Sequence, residues 1–233
     1  MKYMGSKRAM LKNGLGEALD DAMEGTNRVL DLFTGSAAVA WHVAQRYRVA
    51  VVAADLQLYS SVLASSVIKR TSAMSKADWI DDWFVRAFSR LKNTPLFDSA
   101  QNLQSELHQL PVGLVADKAR AISTNATDWP ISLRYGGYYL SPWQSLWLDA
   151  LRKTLPMECE YGHIALASLI QTASRASASP GHTAQPFKAN DTAGRFLIEA
   201  WRRNVVSMVK SSALDIGARH ALKPGEADRK SVV

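Results

Sequence analysis

The chain has 233 residues, with 28 Lys and Arg against 21 Asp and Glu, for a formal charge of +7. At 47% hydrophobic and 21% charged it can bury an ordinary core, so wholesale disorder is excluded and the length suits one domain plus a smaller lobe. No apolar run approaches the ~18 residues that span a bilayer, the N-terminus lacks the apolar stretch of a secretory signal, and the lone Cys159 excludes an internal disulfide or multi-thiolate metal site, so a cytoplasmic protein is expected.

Residues 28–33 (RVLDLF) form a short apolar run carrying Asp31, followed by the turn Thr34-Gly35-Ser36. An Ala/Val-rich helical stretch follows at 37–47, then a second apolar run, VAVVAAD, at 49–55, and a second helical stretch at 58–70. Strands alternating with helices of this length predict a β-α-β-α unit on a parallel, buried sheet with a right-handed crossover. After residue 75 the pattern becomes helical, over 76–92, 97–110 and 112–122, with Trp79, Trp83, Ala87 and Leu91 at steps of four. The stretch 123–141, rich in Ser, Thr, Asn, Asp and Gly, reads as a loop or a Gly-Gly hairpin. Helices are predicted at 142–155, with Pro142 in its first turn, at 161–176 and at about 193–214. The last nineteen residues carry no clear structural signal.

The first β-α-β carries the chemistry. A strand, a Gly-Ser turn and a helix N-terminus let backbone approach a ligand, with the free amides favouring an anion. Asp55, twenty residues after Gly35 at the end of the second strand, sits where an acid binds a ribose diol. NAD, FAD and S-adenosylmethionine all use this geometry. A dinucleotide calls for G-x-G-x-x-G at its pyrophosphate, whereas Gly35-Ser36-Ala37-Ala38 has one glycine, which favours the sulfonium cofactor.

These residues resemble the Dam-like adenine-specific DNA methyltransferases found with restriction–modification systems. Lys2-Tyr3-Met4-Gly5-Ser6-Lys7 is similar to that family's N-terminal motif, and Asp31-Leu32-Phe33-Thr34-Gly35-Ser36-Ala37-Ala38-Val39-Ala40 to its cofactor loop. Ala54-Asp55-Leu56-Gln57 resembles the segment with the ribose-binding acid. Tyr135-Gly136-Gly137-Tyr138-Tyr139-Leu140-Ser141-Pro142-Trp143-Gln144 and Leu148-Asp149-Ala150-Leu151-Arg152 resemble its Tyr-Phe-Ser-x-x-Gln and Ile-Asp-Ala-Leu-Arg stretch, and the segment 180–187 also looks like the family.

The resemblance implies a partial Rossmann-like methyltransferase sheet with a large, mainly helical inserted target-recognition lobe. Residues 1–75 would form the S-adenosylmethionine half-domain, 76–192 the lobe, and 193–233 a helix returning to an incomplete catalytic domain with a basic tail. Tyr3, Lys7, Asp31, Phe33, Thr34, Gly35, Ser36 and Asp55 would bind the cofactor. Arg134, Tyr135, Tyr138 and Tyr139 have a composition suited to stacking on or backbone contact with nucleic acid, His182 could contact phosphate or base edges, and the resemblance makes that partner double-stranded DNA. An aromatic hairpin packed on helices is the competing reading of those tyrosines, and a turn-stabilising role that of His182.

Two departures stand out. Ala37 replaces the loop's second glycine, which places either a methyl group or backbone strain near the cofactor. The family's catalytic signature, Asp-Pro-Pro-Tyr, has no counterpart, because all eight prolines are isolated. No catalytic residue is therefore assigned. The expected activity is methyl transfer to the adenine amino group by an incomplete chain whose partner is a missing C-terminal half, with an inactive or split-enzyme DNA-binding fragment as the alternative. Charge is concentrated at the ends, +4 over residues 1–12 and +4 over 202–233, which permits a polyanion partner. The five histidines show no metal-ligand spacing, and no metal is expected.

Overall fold

The computed structural model describes residues 7–158, 161–181 and 184–229. Of these, Asp78–Leu155 and Gln171–Ser211 fall in one compact unit, which is helical. The described parts of Tyr3–Ala77, Pro156–Ile170 and Ser212–Val233 form the other, which holds the sheet.

In the sheet unit a short 3-10 helix (Met10–Lys12) precedes α1 (Leu15–Ala22), β1 (Arg28–Asp31), α2 (Ala38–Arg46), β2 (Ala50–Ala54) and α3 (Leu58–Ile68). All three strands are parallel, in the order β1-β2-β3, and β3 is Glu226–Asp228. The β-α-β-α expectation holds, and β3 adds a strand inside the tail that carried no structural signal. It forms because the chain is led there by backbone bonds: the amides of Ala221, Leu222 and Gly225 donate to the carbonyls of Arg70, Ala44 and Ile68. Gly225 is obligatory, since a Cβ there would sit 2.3 Å from the Val51 carbonyl oxygen.

Burial alternates along β2. Val51 and Ala53 are buried, while Ala50 and Val52 are half-buried. Side chains of registered partners share a face, and Leu30, paired in register with Val52, is 53% exposed. Parallel sheets normally bury both faces; this one buries Val51 and Ala53 on one face and leaves Leu30 and the outer edge of β1 uncovered. On the packed side, Trp41 of α2 donates its indole N–H to the Leu63 carbonyl of α3 at 2.8 Å.

The helical unit contains α4 (Asp78–Lys92), α5 (Phe97–Glu106), α6 (Val112–Thr124), α7 (Pro130–Tyr135), α8 (Pro142–Lys153) and α10 (Gly194–Trp201). The helix α9 (Gly162–Ala176) precedes α10, and α11 (Val205–Ala218) follows it. Ile80, Trp83, Ala87 and Leu91 bury the apolar stripe of α4 completely. A second core gathers Leu103 of α5, Leu107 just after it, Val115 and Ala119 of α6, and Leu197 and Trp201 of α10.

Two local readings change. The stretch 123–141 is not all loop, because α7 lies within it. The single helix expected at 193–214 is two, since Asn204 accepts the Ser207 amide through its side chain and starts α11 afresh. The start of α8 follows its sequence: Ser141 and Gln144 form a reciprocal capping box ahead of Pro142.

Candidate functional site

The turn after β1 is fixed from several directions. Thr34 is buried, and its hydroxyl lies 3.0 Å from the Asp31 carbonyl and 3.2 Å from that of Ala54. Gly35 takes φ +51°, and its amide donates to Asp55 Oδ2 at 2.8 Å. Asp55 Oδ1 accepts the Gln57 amide at 2.9 Å, ahead of α3. Asp55 therefore braces the turn and holds the residue just ahead of α3, whose own N-cap, Gln57, makes no side-chain cap bond.

Ala37 is left-handed, at φ +61°, and is the one non-glycine residue among those described with positive φ. It is fully buried and does not line the cleft. The departure from glycine is thus met as backbone strain, not as a methyl group in the ligand's way.

The turn walls a cleft of about 190 Å³ lined by Lys7, Asp31, Phe33, Thr34, Gly35, Ser36, Ala38 and Val39. All six cofactor residues expected between Lys7 and Ser36 meet there. Asp55 stands behind them, bonded to Gly35, and Tyr3 lies outside the described residues. Ala38 and Val39, at the start of α2, escaped the sequence reading; their place directly after the turn was the available signal. Asp31 Oδ2 is buried with no hydrogen-bond partner among the described residues. Burial pushes the Asp31 carboxyl above its ordinary value, an effect eased by Lys7 and the Phe33 and Ala40 amides. Phe33 is 79% exposed at the rim. An acid and a lysine lining one cleft beside a helix start suit a zwitterion, with one charge for each partner.

In the helical unit, Arg134 and Tyr135 end α7, and Tyr138 and Tyr139 follow the two glycines. Tyr135 and Tyr138 are about half exposed. The Arg120 guanidinium lies 4.8 Å from the centre of the Tyr138 ring. Tyr139 packs edge-on against Tyr135 at 6.0 Å, and its hydroxyl donates to the Ala184 carbonyl at 3.4 Å. His182 lies outside the described residues. Arg120 on α6 had no sequence signal, because only folding brings it under Tyr138.

Among the described residues no group of His, Cys, Asp and Glu could hold a metal ion, and no helix is long and apolar enough to cross a membrane. No curated protein and no solved structure matches the chain. One family model does, that of the D12 class N6 adenine-specific DNA methyltransferases, and it covers residues 3–192, from the N-terminal motif through the cleft, the tyrosine turn and the segment at 180–187. With that match spanning most of its length, the chain belongs to the D12 class N6 adenine-specific DNA methyltransferases.

Proposed function

We propose that this chain binds S-adenosylmethionine in the Lys7–Asp31 cleft and presents double-stranded DNA for methylation of an adenine amino group, in a restriction–modification setting. The observation that carries this reading is that Asp31, whose Oδ2 has no hydrogen-bond partner among the described residues, lines one cleft with Lys7 and the Gly35–Ser36 turn. When bound, the cofactor supplies an electrophilic methyl group on a sulfonium. Lys7 pairs with the ligand's carboxylate, and Asp31 accepts its ammonium. Asp55 keeps the turn in place, and its remaining lone pairs are open to ribose hydroxyls. Phe33 offers an apolar rim. In the helical unit, which we read as the target-recognition lobe, Tyr135 and Tyr138 offer stacking faces and Arg134 a phosphate contact.

The acceptor groups for the adenine amino hydrogens are not assigned to this chain, which has no Pro-Pro motif. We assign them to a second polypeptide segment added beside β1. Two features support this. The cleft's 190 Å³ is smaller than the ~300–1,000 Å³ of most complete ligand sites. The outer edge of β1 is unpaired within the described sheet, with Leu30, Leu32 and Phe33 exposed along and beyond it. The alternative, a DNA-binding fragment without catalysis, rests on the same missing motif.

A labelled-methyl assay tests the reading, run on the chain alone and after mixing with a polypeptide carrying an Asp-Pro-Pro-Tyr strand. Methylation by the mixture supports the proposal. Salt-sensitive DNA binding without S-adenosylmethionine binding, seen by calorimetry in both samples, supports the alternative.

A further inference from the structure

The motif Leu148–Arg152 takes no part in the cofactor cleft. Asp149 on α8 is 1% exposed. Its Oδ1 accepts the Ile131 amide at 3.0 Å, and its Oδ2 accepts the Ser132 amide at 2.8 Å and the Ser132 hydroxyl at 2.9 Å. These amides open α7, whose own N-cap residue, Trp129, makes no side-chain cap bond. A buried carboxylate is retained where such donors surround it. Burial raises its pKa, and the same three bonds oppose that rise.

From α7 the constraint passes to the tyrosine turn. A Cβ on Gly136 would lie 2.3 Å from Ser123 Oγ, and one on Gly137 would lie 2.8 Å from the Arg120 amide nitrogen. The turn is therefore pressed onto α6, with Gly137 at φ +76°. The Gly137 amide closes it by donating to the Leu140 carbonyl at 2.8 Å. α8 is itself anchored: Trp83 donates to the Leu151 carbonyl at 3.0 Å, and Gln144 to the carbonyls of Ala200 and Arg203 at 2.9 and 2.8 Å. Asp149 is the side chain that joins this anchored helix to the start of α7.

We infer that Asp149 is a positioning residue for DNA binding, holding Arg134, Tyr135 and Tyr138 as one rigid stacking surface while touching no DNA itself. The inference rests on the reading that those three residues contact DNA. A double-mutant cycle on the full chain tests it, using salt-titrated fluorescence anisotropy with a short labelled duplex. Asp149→Asn should weaken DNA binding about tenfold in the otherwise unchanged chain, and by less than about twofold when Tyr135→Ala and Tyr138→Ala are already present. An equal loss in both backgrounds overturns the inference, because a general structural defect is additive. Unchanged binding by Asp149→Asn, with the tyrosine variants weakened, overturns it also. Unchanged binding by the tyrosine variants instead refutes the underlying DNA reading. If Asp149→Asn does not fold, Ser132→Ala removes one of the three donors and is judged by the same non-additivity.

Discussion

The amide of Gly35 donates to Asp55 Oδ2 at 2.8 Å, so the acid at the end of the second strand latches the turn at the end of the first. Removing it is expected to affect both the fold and the proposed ligand site. Asp55→Ala leaves the Gly35 and Gln57 amides without their acceptor and is expected to cost about 1–3 kcal/mol. Its loss of S-adenosylmethionine affinity by calorimetry should exceed that of Asp55→Asn, which keeps one acceptor oxygen.

Ala37 offers the opposite experiment. Its left-handed backbone costs about 1–2 kcal/mol relative to glycine, offset by the ~0.5–1 kcal/mol of extra chain entropy that a glycine loses on folding. Deleting the fully buried methyl group costs a further ~0.8 kcal/mol, so the relieved strain is expected to hold the net change for Ala37→Gly within about 1 kcal/mol, a shift of no more than about 4 °C in Tm at this size. Because the Ala37 methyl group does not face the cleft, ligand affinity should stay within about twofold. A fall in Tm of more than about 4 °C on scanning calorimetry would contradict the strain.

Asp31 gives a pH signature. Its carboxyl is raised in the folded chain, so the native state holds the proton more tightly than the unfolded state does. Its contribution to stability is most favourable below the ordinary value of 3.8 and is lost as pH rises through the raised folded value. Asp31→Asn is neutral throughout, so it should melt higher than the parent chain at pH 7, with the advantage vanishing in acid. Binding runs the other way: S-adenosylmethionine affinity needs the carboxylate, should fall on acidification from above the ordinary Asp range, and should be largely lost in Asp31→Asn at every pH.

The uncovered edge of β1 separates stability from assembly. Leu30 is 53% exposed, so Leu30→Lys is expected to change the stability of the chain alone by no more than about 0.5 kcal/mol. Methyl transfer regained on mixing with a strand-bearing polypeptide should drop at least about tenfold in the variant, because a lysine on that face opposes apolar cover. Regained activity at the parent level would place the second segment elsewhere.

The sequence carried the local half of this protein. The apolar runs at 28–33 and 49–55 have the composition of buried parallel strands, and the Gly35–Ser36 turn marks where backbone can meet a ligand. The Pro142 and Gln144 positions declare the start of α8 by capping chemistry alone. Each of these signals is complete within a dozen residues, so periodicity and turn chemistry express it. Six of the eight expected cofactor residues line one cleft for the same reason: five of them share one turn, and Lys7 comes from the N-terminal motif.

Only the tertiary structure decided the rest. Glu226–Asp228 has no strand pattern of its own, and becomes β3 because β2 offers an open edge and Gly225 can approach Val51 closely. Asp149 reads as one acid on a helix until folding sets it under the amides of Ile131 and Ser132, eighteen and seventeen residues away. The φ of Ala37 was left open between a methyl group in the pocket and a strained backbone, and packing around a fully buried Cβ chose the strain. For β3 and Asp149 the deciding partner is distant in sequence, and a hydrogen bond or close contact that forms only when the chain folds leaves no periodic trace in the residues that make it.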